Sequence, residues 1–215
     1  MSLLSLQEKA NAPARLSASD WVRTALGMLS DQGIDAVQIT ALARTLNVTR
    51  GSFYWHFENR EDLLDSLLAE WQARNTGVMV EAIADTESLD LGILALFEVW
   101  VDHSRFDPKL DQAIRDWARH DEALHQSVKS EDAARVAAIA AFFERHDYDP
   151  SEAYIRARVI YFTQISYYAM RIEESESFVE RMGYLADYFR VYTGREINKD
   201  IADAYRAANL NGDRE

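Results

Sequence analysis

The sequence predicts an all-α protein with an N-terminal three-helix helix-turn-helix head and a larger C-terminal helical body. Three observations carry that prediction. Gly (8) and Pro (3) are scarce in 215 residues, while Ala, Leu, Glu and Arg are frequent, which favours helix. Apolar residues recur at i, i+3, i+4 and i+7 over most of the chain. No stretch alternates as a half-buried strand would, and no repeat or low-complexity tract intervenes.

The elements follow in order. Residues 1–16 lack a durable period and read as a flexible arm. Ser17 or Ser19 caps the first helix, with Asp20 in capping-box position after Ser17. Trp21, Ala25, Met28 and Leu29 form its buried face, and Gly33 supplies a left-handed exit. Ile39, Leu42, Ala43 and Leu46 make a second helix, and Asn47 takes the turn because Asn tolerates positive φ. Val48 plugs that turn, and Thr49 caps a third helix with Phe53 and Phe57 inward. Asn59 caps a fourth helix that continues through Leu63, Leu64, Leu67, Leu68 and Trp71 to about residue 75. Further helices are expected near 77–84, 89–105, 108–120, 121–146, 150–173 and 176–193, with a short amphipathic one at 198–208. Asp107-Pro108 and Asp149-Pro150 are start signals: an Asp cap with Pro at the first helical position.

This order divides the chain into an arm (1–16), a helix-turn-helix domain (17–60), a connecting helix (61–75), an effector-binding and dimerisation domain (76–194) and a C-terminal tail (195–215). Hydrophobic content of 48% is ordinary for a globular chain. The absence of Cys excludes disulfides, thiol catalysis and Cys-ligated zinc, and suits a cytoplasmic location. No secretory leader and no membrane-length apolar run is expected.

Net charge is −13, which argues against a general nucleic-acid coat. The balance reverses inside residues 37–60, where Arg44, Arg50 and Arg60 face Glu58 alone. A helix suits the major groove when its exposed face offers donors and small residues and its hidden face is anchored. The third helix fits. Gly51 and Ser52 permit close approach, and Arg50 reaches a base edge or phosphate. Tyr54 and His56 donate to phosphates, Trp55 joins the same cluster, and the Thr49 hydroxyl stands at a helix start. Gln38 and Thr40 open the second helix where phosphate contact is expected, and Arg60 is placed to clamp the backbone.

Residues 17–68 resemble the N-terminal domain of the TetR family of bacterial transcriptional regulators. The run that carries the resemblance is Leu42-Ala43, Asn47-Val48, Thr49-Arg50-Gly51-Ser52-Phe53-Tyr54-Trp55-His56-Phe57, Asn59-Arg60 and Leu63-Leu64. Asn47 departs from the family's usual Gly, and Gln38 from a frequent Thr. The resemblance implies a homodimer on a palindromic double-stranded operator, usually a repressor. It implies recognition contacts from Arg50, Gly51, Ser52, Tyr54, Trp55 and His56, with phosphate contacts from Thr40 and Arg60.

The body is rich in aromatic residues. Phe97, Trp100, Trp117, Phe143, Phe162 and Tyr168 are expected to line a pocket for a small apolar or aromatic effector, oriented by His103, Tyr161 or Gln164. Each of these is alternatively plain core. Helices 150–173 and 176–193 are the expected dimer surface. Ala153, Ala157, Ser166 and Ala169 would allow close packing there, and Phe178, Met182, Leu185 and Phe189 would add an apolar stripe. His120 and His125, with Asp116, Asp121 and Glu122, are irregularly spaced and read as solvated surface, so no metal or cofactor is expected. No nucleophile motif frames the Ser, His and Asp residues, so no enzymatic activity is expected. The expected mechanism is a ligand that shifts helix 89–105 against helix 60–75 and releases DNA. The competing reading is a helical small-molecule-binding or enzymatic bundle whose head does not bind DNA.

Overall fold

The computed structural model describes residues 16–210, and the regular structure within them is all helical. The expected N-terminal arm, apart from Leu16, and the last five residues of the tail lie outside the described residues. The chain forms two compact units, one ending at Leu68 and the other beginning at Ala69.

The first unit begins with α1 (Ala18–Gln32), which opens on the expected capping box: the Ser17 backbone N–H and hydroxyl both donate to Asp20 Oδ2. Gly33 leaves it with φ 81° and leads to a 3₁₀ turn at Ile34–Ala36. Then come α2 (Ile39–Thr45), the single-turn α3 (Arg50–Phe53) and α4 (Arg60–Trp71). Asn47 has φ 54°, with Asn47 N–H donating to Arg44 O and Val48 N–H to Ala43 O. Those two bonds are a Schellman closure, so Asn fills the left-handed position that usually takes Gly. Trp21, Leu29, Leu42, Phe53, Leu63 and Leu67 are fully buried and form the core of this unit. Trp21 meets Phe53 edge-on at 5.3 Å, which locks α3 onto α1.

The second unit starts inside α4. A π-helical turn at Gln72–Gly77 continues that helix into α5 (Val78–Ala84), with no break where the sequence predicts one. Next are α6 (Leu89–Val101), α7 (Pro108–Ala118), α8 (Glu122–Arg145) and α9 (Pro150–Ala169). Asp107, Asp121 and Asp149 accept cap bonds from Leu110, Leu124 and Ser151, as their Asp-Pro and Asp-Glu starts imply. The expected helix 150–173 stops early because Arg171 turns left-handed, φ 55°. The expected helix 176–193 divides into α10 (Phe178–Gly183) and α11 (Leu185–Thr193). Gly183 is a poor helix former at that joint. The tail helix α12 (Lys199–Leu210) is anchored by Arg206 Nε donating to Met182 O.

The core of this unit joins Ile93, Leu96, Val99, Phe142, Phe143, Ile160 and Phe189. Gly92 lies against the Phe142 ring, where a Cβ would stand 2.2 Å from Cζ, so α6 and α8 approach as closely as they do only without that methylene. Beneath the π turn sits a buried polar network. Asp111 accepts from Trp71 Nε1 (2.9 Å), Arg135 Nη1 (3.0 Å) and Arg115 Nε (2.8 Å). Arg115 reaches Asp132 with both terminal nitrogens at 2.9 and 2.7 Å, and Tyr161 OH donates to Asp132 at 2.5 Å. Arg135 Nε donates to Thr76, and Asn75 Nδ2 to Asp107 O. Burial pushes the Asp111 carboxyl up, but Arg135 and Arg115 outweigh it and hold the group below the usual carboxylate range. Among the described residues, no helix is long and apolar enough to cross a membrane.

Candidate nucleic-acid interface

The head exposes a compact donor face. Phe53 and Phe57 turn inward, and the intervening backbone turns Tyr54 (52% exposed) and Trp55 (76% exposed) outward. Arg50, Gly51 and Thr49 are exposed beside them, while Ser52 and His56 are half-buried. Phe53 fixes Tyr54 edge-on at 5.4 Å, so that hydroxyl is presented from a held ring. A Cβ on Gly51 would meet only Thr49 Oγ1 at 3.6 Å, an ordinary contact. The fold therefore does not require glycine there, and the bare backbone leaves room for something outside the chain. Thr40 is exposed on α2, and Gln38 donates to Asp35 O at 3.1 Å.

Two residues change place relative to the sequence reading. Arg60 points inward: its Nε donates to Val37 O at 2.7 Å and its Nη2 to Ile34 O at 3.1 Å. It ties the start of α4 to the turn before α2, and two of its donor nitrogens are unavailable to a phosphate. Arg44, in the last turn of α2, is exposed and has no carboxylate partner among the described residues. The charge reversal around residues 37–60 was the signal that pointed to it.

In the second unit a narrow pocket of about 70 Å³ takes in Phe97, Trp100 and Gln164 from the expected set, with Tyr167, Glu176, Arg181, Met182 and Tyr188 added. The other six expected pocket residues lie elsewhere. Tyr161 belongs to the buried network, and Phe143 to the core. Tyr168 is buried and donates to Trp100 O, with His103 against its ring edge. Phe162 is on the surface beneath Arg158, and Trp117 is half-buried on α7 outside the lining.

The expected dimer residues also divide. Ala153, Ala157, Met182, Leu185 and Phe189 are buried within their own chain, so they are not available to a partner. The helix period explains this, since the small and stripe residues face α8 and the core. Phe178 is half-buried, and Ser166 and Ala169 are exposed. The opposite faces carry the exposed apolar residues: Ile155, Val159, Phe162 and Met170 on and just after α9, and Tyr188 and Val191 on α11. Ile155, Val159 and Val191 border one shallow cleft, which makes the two stripes adjacent.

Residues 22–67 match the family model described as bacterial regulatory proteins, tetR family. The tetracycline repressor protein class D of Escherichia coli is 33% identical over 73 residues, 34% of each chain. The probable acrEF/envCD operon repressor of Escherichia coli K12 is 29% identical over 62 residues, 29% of this chain and 28% of that one. The chain thus matches about a third of the length of these relatives. A solved TetR-family transcriptional regulator from Marinobacter aquaeolei VT8 aligns with TM-score 0.64 at 12% identity, over 91% of this chain and 98% of that one, and shows the shared fold.

Proposed function

We propose, from the match of its N-terminal unit to the tetR family of bacterial regulatory proteins, that the chain is a sequence-specific DNA-binding transcriptional regulator of that family. The observation that carries the proposal is the exposed Arg44, Arg50, Tyr54 and Trp55 face on a helix-turn-helix whose hidden side is pinned by Trp21 and Phe53. Arg50 and Gly51 enter the major groove, while Arg44, Thr40 and the Tyr54 hydroxyl hold phosphates. Few free cations and a net charge of −13 make its non-specific affinity low and its base contacts decisive.

The regulator acts as a homodimer, and its two-fold axis matches a palindromic operator. The exposed stripes of α9 and α11 supply the contact, because adjacent apolar patches of that kind mark interaction surfaces. Its action is repression relieved by a small apolar effector in the pocket of the second unit. The repressor names of the matched relatives support the sign of regulation. They do not extend to the effector, since the match covers only a third of the chain. An effector shifts the equilibrium only as far as it prefers the DNA-free state.

Fluorescence anisotropy of the protein on labelled duplexes, including the DNA flanking its own gene, tests the proposal. Saturable binding to one palindrome, lost in Arg50→Ala/Tyr54→Ala, is the expected result. Equal, weak binding to every duplex at all salt concentrations would favour a helical ligand-binding bundle with a structural head.

A further inference from the structure

Resting on the reading of an effector pocket in the second unit, we infer that the effector is a slender amphipathic carboxylate, its apolar chain between the aromatic walls and its carboxylate on Arg181. The pocket's size sets the first limit. An apolar cavity of about 150 Å³ takes up benzene. This one encloses about 70 Å³ and is open on one side, so it seats only the end of an apolar chain and leaves the rest of the occupant toward the open side. Its walls are apolar and aromatic, with Phe97, Trp100 and Tyr188 among them, so the occupant's body is apolar.

The unmatched polar groups set the second limit, and they are mostly donors. Arg181 lies over the Tyr167 ring at 4.8 Å, with no carboxylate within ion-pair distance and no side-chain hydrogen bond among the described residues. Arg171 and Arg190, by contrast, both have acidic partners. Gln164 approaches the Tyr168 hydroxyl, yet its Nε2 is buried and completes no hydrogen bond. The one acid in the lining, Glu176, already accepts from Tyr167 OH at 3.2 Å. A carboxylate answers both donor groups, with a planar guanidinium matched to its two oxygens. An ammonium would answer Glu176 and the buried Glu173 Oε2, which also completes no hydrogen bond, but it would leave Gln164 Nε2 unpaired and add a second cation beside Arg181.

The test is calorimetric titration of the purified full chain with octanoate, 1-octanol and octylammonium, which share one chain and differ in head group. Octanoate is expected to bind about tenfold or more tighter than 1-octanol. Arg181→Gln should remove that advantage and leave 1-octanol affinity unchanged, which also shows that the variant keeps its pocket. Arg181→Lys should restore part of it. Equal binding of octanoate and 1-octanol, preference for octylammonium with loss in Glu176→Gln, or no binding of any of the three would each overturn the assignment. Operator binding on the same sample is scored separately and judges the regulatory reading alone.

Discussion

Arg44 and Arg60 stand 16 positions apart in one small unit, and their surroundings give them opposite roles. Arg44 is exposed with no carboxylate partner, so Arg44→Ala should leave thermal stability unchanged and lower the salt slope of operator binding by about one per protomer. Arg60 spends its donors on the carbonyls of Val37 and Ile34. Arg60→Ala should therefore cost roughly 2 kcal/mol of stability, read from thermal unfolding, and weaken binding to all duplexes by loosening the head. The spacing of Asn59-Arg60 placed this arginine correctly at the helix start and could not show which way it turns, because the carbonyls it meets are 23 and 26 residues away. Asn47 was legible for the opposite reason. Its left-handed φ is a local requirement of the turn, and few residues meet it. Arg171 takes the same conformation with no such signal, so the end of α9 was missed by several residues.

At the scale of elements, the caps were readable and the joints were not. Asp-Pro starts and the Ser17 box announce themselves in adjacent residues, whereas the π turn at Gln72–Gly77 depends on Asp111 and Arg135 far along the chain. Asp111 holds that joint. Asp111→Asn leaves Arg135, fully buried, facing a neutral amide, and should destabilise the second unit by about 3–5 kcal/mol. The folded Asp111 carboxyl titrates below its unfolded value of about 3.9, so its contribution is complete above about pH 4 and is lost as pH falls through the lower folded value. Thermal unfolding followed from pH 7 to pH 3 should drop less steeply in Asp111→Asn than in the parent chain. Equal slopes would mean that other carboxylates govern acid unfolding. The aromatic wealth of this unit misled for a related reason. Periodicity reports that a residue is buried but not what else it meets, so Phe143, Tyr161 and Trp100 looked alike; all three join the core, but Tyr161 also enters the polar network and Trp100 also edges the pocket.

For the whole molecule, the proposed dimer depends on which face of α9 and α11 is left bare. Ala153 and Ala157 suggested an interface and instead let the chain close on itself, while Ser166 and Ala169 stay exposed. The available face carries Ile155, Val159 and Val191, the last 65% exposed. Val159→Arg/Val191→Arg places like charges across a two-fold contact and should convert the dimer to a monomer in sedimentation velocity, with helicity by circular dichroism unchanged. A dimer that survives this change would place the contact elsewhere. The same molecule also has a built-in optical reporter. Trp21, Trp71 and Trp100 are sealed, Trp117 is half-covered, and Trp55 stands 76% open on the reading face. Emission from Trp55 should lie at the red edge of the spectrum and be the most readily quenched by acrylamide, and operator DNA should shield it. Occupancy of the reading face is then visible in the unlabelled protein, through the one indole that the fold leaves largely in water.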